Sequence, residues 1–186
     1  MGKEQDSRYY DKLFSGKNKY ASPYPPGAYI DTWEQISEMI DKKARILDMG
    51  CGVGQFALFL KNKGFKNYTG IDFSDVAIQR SKGYIPEFRF EKIDFYSQEF
   101  IDFFEDNQFD IIVCLEALEH IYSDLILLAL LPRLPIIFSV PTFDDKSHVR
   151  WFKTPIDVYN RYENEVRIDE YYFFKQRYHL VKGELK

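Results

Sequence analysis

One stretch constrains the fold more than any other: Arg45-Ile46-Leu47-Asp48-Met49-Gly50-Cys51-Gly52-Val53-Gly54-Gln55-Phe56-Ala57-Leu58-Phe59-Leu60. Its first part is a short apolar run ending in an acid, the pattern of a buried parallel strand. Three glycines follow at alternate positions. Phe56, Ala57, Phe59 and Leu60 then recur at helical spacing. Strand, glycine turn and helix in that order open a doubly wound α/β fold.

The glycines allow positive φ and let backbone lie directly against a ligand. They stand at the carboxyl end of the strand, where open α/β sheets bind ligands. Their spacing is G-x-G-x-G, with Gln55 where a dinucleotide fingerprint would carry its third glycine. Asp48, two residues before the first glycine, would repel a diphosphate and attract a cationic amino acid. Asp48-Met49-Gly50-Cys51-Gly52-Val53-Gly54 resembles motif I of the class I S-adenosylmethionine (SAM)-dependent methyltransferases. The resemblance runs from about Tyr9 to the C-terminus and is strongest from Ile46 to Val140. It implies that Asp48, Gly50, Cys51, Gly52 and Gly54 hold the methionine end of SAM and of its product, S-adenosylhomocysteine (SAH).

Later strand ends continue the pattern. Tyr68-Thr69-Gly70-Ile71-Asp72 reads as a second strand, with Asp72 placed 22 positions after Gly50. A carboxylate there can accept from both ribose hydroxyls, and Phe73 could stack on adenine. The duller role for Asp72 is helix N-cap, which Ser74 would fill better. Phe88–Asp94 alternates as a third strand, and its Asp94-Phe95 end resembles the family's adenine site; Asp94 could equally start a turn. Ser97–Asp106 reads as a helix with Phe100, Phe103 and Phe104 inward. Phe109–Glu116 is a continuous buried run, the fourth strand; the resemblance places Leu115, at its end, beside the cofactor.

At its end the sequence reads Glu116-Ala117-Leu118-Glu119-His120. A helical turn would gather Glu116, Glu119 and His120 at i, i+3 and i+4. The segment resembles the substrate border of ubiquinone-type O-methyltransferases. It also resembles small-RNA 3′-end 2′-O-methyltransferases, in which two Glu, this His and a downstream His hold a divalent ion. His148 would be the fourth ligand, and carboxylates with imidazoles suit such an ion. The alternative is that Glu116 and His120 only border the pocket and Glu119 is solvated. We read no metal here, with Glu116, Glu119, His120 and His148 as the alternative set. The catalytic candidates are His120 as base, His148 second, and Glu116.

Pro135–Pro141 reads as the fifth strand and Thr142–Ser147 as a polar loop. In the following His148-Val149-Arg150-Trp151-Phe152, Arg150 reads as paired with an acid and Trp151 and Phe152 as a helix staple. Thr154-Pro155 starts a helix, and Val166–Phe174 and Tyr178–Glu184 form a closing hairpin. At the other end, residues 1–29 are polar, aromatic and proline-interrupted. Tyr9-Tyr10-Asp11 resembles a family segment that caps the cofactor, which adds Tyr10 to the binding residues; a helix packing Tyr10 and Phe14 on the sheet explains it equally. We divide the chain into a lid, 1–29, and a methyltransferase domain, 30–186. The resemblance implies a Rossmann-like α/β fold: a mostly parallel seven-stranded sheet, a C-terminal antiparallel hairpin and helices on both faces.

Composition narrows the partners. With 25 Lys and Arg against 29 Asp and Glu the net charge is −4, which disfavours a broad nucleic-acid footprint. Cys51 and Cys114 read as buried core residues, as in a reducing cytosol. Lys3, Glu4, Asp6 and Arg8 crowd the start without an apolar signal region, and no stretch approaches membrane-spanning length. The expectation is a cytoplasmic enzyme moving the methyl group of SAM to an oxygen or nitrogen of a small-molecule acceptor. A metal-assisted RNA-end enzyme and a non-catalytic SAM-binding partner are the alternatives. Little sequence lies outside the core, so a compact acceptor, a partner-presented one or a homodimer would complete the site.

Overall fold

The computed structural model describes residues 2–18, 20–23, 27 and 29–186. Lys19, Tyr24, Pro25, Pro26 and Ala28 lie outside the described residues, and with them part of the expected lid and of the turn read over Tyr20–Gly27. The chain divides into two compact units, Asp6–Ile111 and Met1–Gln5 with Ile112–Lys186.

The first unit runs α1 (Ser7–Ser15), α2 (Ile30–Met39), β1 (Ile46–Met49), α3 (Gln55–Asn62), β2 (Tyr68–Asp72), α4 (Asp75–Tyr84), β3 (Arg89–Lys92) and α5 (Gln98–Asp106). β1 is buried along its whole length, as a strand covered on both sides must be. β2 pairs in parallel with β1, Ile46 opposite Tyr68, and with β3, Asp72 opposite Lys92. Ser74 caps α4 by accepting from the Ala77 amide, and Ser97 caps α5 by accepting from Phe100. Ile36, Leu47, Ala57, Leu60 and Ile71 are fully buried. Phe100 and Phe103 turn inward as expected, and Phe104 packs against both while half-buried.

The second unit carries β4 (Ile111–Leu115), a 3-10 turn (Leu118–His120), α6 (Asp124–Leu130), β5 (Pro135–Pro141), α7 (Pro155–Tyr162), β6 (Val166–Phe174) and β7 (Tyr178–Leu185). β4 and β5 are parallel, with Val113 opposite Ile137. β7 runs antiparallel to both β5 and β6. Thr154 closes a capping box with Asp157, and Pro155 occupies the first turn of α7. The β6–β7 register shifts between Ile168 and Glu170, a β-bulge at Asp169. Opposite it Gly183 has no room for a side chain: a Cβ would lie 2.2 Å from the Arg167 carbonyl oxygen.

The seven strands are ordered β3-β2-β1-β4-β5-β7-β6. This is the mostly parallel sheet with a closing antiparallel hairpin implied by the resemblance. Among the described residues no helix is long and apolar enough to cross a membrane.

Candidate active site

In the first unit the glycine turn follows β1. Gly50, Gly52 and Gly54 all have positive φ, 78°, 52° and 78°, a conformation costly for any residue with a Cβ. At Gly54 a Cβ would also come within 3.0 Å of the Ser81 hydroxyl. The turn is held from β2: Gly50 and Cys51 amides donate to the Ile71 carbonyl. Asp72 completes it, one oxygen accepting from the Gly52 amide at 3.0 Å and the other from Ser74 at 2.9 Å. Burial pushes Asp72 up to about 6, although the Ser74 and Gly52 amides favour its charged form. Asp48 is only 2% exposed and accepts from the Tyr68 hydroxyl. Burial raises it to about 7; the Tyr68 bond opposes this and the neighbouring Asp72 charge adds to it.

Two of the other cofactor candidates keep company with α1. Tyr10 packs on Phe73 with ring centroids 5.3 Å apart. Phe14 clusters with Val53 and Ala77, and the Asp11 carboxylate accepts from the Ser74 hydroxyl at 2.5 Å and the Val76 amide at 3.3 Å. Arg80 donates to the Phe14 and Ala21 carbonyls, and Gln55 to Ser22. Asp94 accepts from the Tyr96 amide, so it does start a turn, and Phe95 sits edge-on to Phe100.

The second unit carries the acid–histidine group. Leu115 ends β4, half-buried. Glu116 has φ 51° and does not join the helical turn expected to gather it with Glu119 and His120. A left-handed residue breaks the helical path, and the Glu116 carboxylate instead accepts from the Ser139 hydroxyl at 2.8 Å. Glu119 and His120 do share the 3-10 turn, and His148 comes to them from the loop after β5. Among the described residues, one ligand atom from each of Glu119, His120 and His148 lies within 4.8 Å of the others. Glu119 is fully buried rather than solvated, because the loop after β5 covers the 3-10 turn; its Oε1 is 3.6 Å from His120 Nε2 and 4.0 Å from His148 Nε2.

The ring orientations follow from simple chemistry. His120 Nδ1 lies 2.9 Å from the Ser147 carbonyl and His148 Nδ1 lies 3.0 Å from the Phe143 carbonyl. A carbonyl can only accept, so each Nδ1 carries the proton and each Nε2 of a neutral ring carries a lone pair. Both lone pairs therefore face one buried carboxylate, an arrangement that a cation relieves, whether a proton on one imidazole or a metal ion. The loop is clamped in place: the Val149 amide donates to the Glu119 carbonyl, and Arg150 donates to the carbonyls of Leu118, Ile121 and Tyr122.

A family model described as a methyltransferase domain matches residues 21–135. The chain belongs to the methyltransferase-domain family. The ubiquinone biosynthesis O-methyltransferase of Rickettsia conorii is 35% identical over 89 residues, 48% of this chain and 30% of that protein. The eEF1A lysine and N-terminal methyltransferase of Mus musculus is 30% identical over 98 residues, 50% of this chain and 14% of that protein. The chain thus spans less than a third of the length of these curated relatives. The fold is that of the class I methyltransferases. The magnesium protoporphyrin IX methyltransferase of Synechocystis, solved with bound SAH, superposes with a TM-score of 0.71 at 16% identity, over 97% of this chain and 100% of that one. A SAM-dependent methyltransferase of Aquifex aeolicus gives 0.70 at 13% identity, over 98% and 100%.

In this chain the hydrogen bonds of Asp72 and the turn link β2 to the motif glycines, and His148 joins Glu119 and His120. Asp11 belongs to the Tyr9-Tyr10-Asp11 segment that the resemblance marks, but the sequence gives it no role of its own. The sequence reading passed over Ser139, Arg80 and Asp124. Asp124 is fully buried and pairs with Arg150 at 3.0 Å and Arg161 at 2.6 Å. Arg150 does meet an acid, as its pairing reading required.

Proposed function

We propose that the chain transfers the methyl group of SAM to an oxygen or nitrogen of a small-molecule acceptor, with His120 taking the acceptor's proton. The observation that carries the cofactor assignment is Asp72: a buried acid at the end of β2, hydrogen-bonded to the middle glycine of the turn. Its carboxylate has lone pairs beyond the two bonds to Gly52 and Ser74, and ribose hydroxyls fit them. Asp48, Gly50, Cys51, Gly52 and Gly54 would hold the methionine end, Phe73, Asp94, Phe95 and Leu115 the adenosine side, and Tyr10 the cap. The neighbour solved with SAH supports this reading, and the ubiquinone-type relatives support an oxygen acceptor.

In the transfer, a bond forms between the acceptor oxygen and the methyl carbon as the carbon–sulfur bond breaks, leaving SAH. Rate comes mainly from holding oxygen, carbon and sulfur in line. The acceptor proton passes to His120 Nε2, and the Glu119 carboxylate stabilises the imidazolium that results. Glu116 buttresses the segment through Ser139. Residues 30–186 form the catalytic domain in this reading, and 1–29 a lid whose α1 seats Tyr10 over Phe73. Tryptic cleavage at Lys12 and Lys17 should then slow on adding SAH; equal rates with and without it would count against the lid.

A second reading is favoured by the convergence of Glu119, His120 and His148. One carboxylate oxygen and two Nε2 atoms fit a divalent transition-metal ion, their Nδ1–H groups being anchored on carbonyls as metal-binding histidines require. Such an ion would acidify a bound hydroxyl, and the RNA 3′-end acceptor belongs to this reading. Labelled SAM, a panel of phenolic acceptors and a chelator separate the two. The base reading expects activity to persist in chelator and His120→Ala to cut turnover about a hundredfold with SAH affinity unchanged. Loss of activity in chelator and its return with Mn²⁺ would hand the site to the metal. SAH binding without transfer to any acceptor would favour the non-catalytic partner.

A further inference from the structure

We infer that the methyl acceptor carries an anionic oxo group, a carboxylate or a phosphate, and that Arg177 receives it. This rests on the methyl-transfer reading of the acid–histidine group and deepens it. Phe143 connects the two. Its carbonyl accepts from His148 Nδ1, its ring lies 5.6 Å from the His148 ring, and the Arg177 guanidinium sits over the same ring, 4.4 Å from its centroid. One residue therefore sets both the imidazole and the cation.

The backbone places Arg177 at some cost. The β6–β7 turn has positive φ at Lys175 and Gln176, 50° and 53°, without a glycine or asparagine to ease it. The turn is tied to the end of β5, the Thr142 amide donating to the Arg177 carbonyl at 2.8 Å and its hydroxyl to that of Gln176 at 3.2 Å. Elsewhere in this unit Arg150, Arg161 and Arg167 meet carboxylates. Among the described residues, no carboxylate meets Arg177, whose side chain is exposed. A guanidinium held over an aromatic face keeps its edge N–H donors for a planar, two-oxygen acceptor. The chain as a whole is acidic, net −4, so an anionic acceptor needs such a local cation.

The chain has three histidines, which makes ring-proton NMR a direct readout. His120 and His148 report on the site. His179 is buried between the Tyr171 hydroxyl and the Phe152 carbonyl and serves as internal control. SAH-loaded protein is titrated with benzoate, phenyl phosphate and neutral benzamide. The expected result is that at least one anion shifts His148 but not His179, that benzamide does not, and that the tighter anion identifies the group. Arg177→Met should weaken that binding at least fivefold and Arg177→Lys should recover part of it, with calorimetric SAH affinity unchanged in both. Equal binding of benzamide, or full binding by Arg177→Met, overturns the inference. Failure of SAH to bind the wild type would instead overturn the methyl-transfer reading, and calorimetry reads that separately.

Discussion

Replacing Asp72 with alanine is expected to raise the dissociation constant for SAH by at least about tenfold. The two charge-assisted hydrogen bonds to ribose proposed for it would go, each worth about 1.5–3 kcal/mol, and about 1.4 kcal/mol already corresponds to tenfold. The pH dependence sharpens the test. Hydroxyls that donate to Asp72 favour its ionised form, and a ligand ammonium does the same for Asp48. With folded values of about 6 and about 7, SAH binding should tighten as pH rises through that range and should release protons. Stability of the unliganded protein runs the other way. A carboxylate raised above its ordinary value contributes stability that is full below that ordinary value, and the contribution is lost as pH rises through the folded one. Calorimetry at pH 5.5 and 7.5 reads the binding, and Asp72→Asn should reduce its pH response to the part carried by Asp48. An unchanged dissociation constant in a folded Asp72→Ala protein would reduce Asp72 to a brace for Gly52 and Ser74.

The second large effect is on stability. Asp124→Ala should cost about 3–5 kcal/mol, the usual result of removing one partner of a buried ion pair, and lower the melting temperature by roughly 10 °C. It strands Arg150, Arg161 and the buried Tyr162 hydroxyl, which donates to Asp124 at 3.0 Å. Arg150 also holds the carbonyls around the 3-10 turn, so His120 and His148 ring signals should broaden with the loss. The Arg45–Asp110 pair is bidentate but lies in solvent, at 47% and 44% exposure, and its removal should move the melting temperature little. Thermal unfolding of the two variants side by side checks the contrast; equal shifts would refute it.

Much of the fold was legible because strand ends were marked by breakers and acids. β2, β5 and β6 fall on the residues read for them, and the Thr154-Pro155 helix start needed only local chemistry. The glycine turn was legible because positive φ leaves a glycine record. The acid–histidine group was legible in part: the resemblance grouped Glu119, His120 and His148, which the structure brings together, and wrongly added Glu116. Nothing near Glu116 announces a left-handed backbone, and helical spacing therefore overcounted the residues of the turn. His148 reaches Glu119 through a loop shaped by Asp145, which accepts from the Ser147 amide and hydroxyl, and such a path has no periodicity to read. The partners of Asp124 stand 26 and 37 positions away, where composition gives no warning. The turn between Phe174 and Tyr178 falls where the hairpin was read, but the left-handed backbone at Lys175 and Gln176 has no glycine or asparagine to signal it.

The bulge at Asp169 bears on behaviour in crowded solution. β6 closes one side of the strand order and β3 the other, and a strand with an open flank can template another chain. β6 meets this hazard with a shifted register and charge: Arg167 beside Asp169, and Glu170 paired with Lys182. β3 is short and carries Arg89, Glu91 and Lys92. Strand-to-strand growth between copies is thereby discouraged at both margins of the sheet.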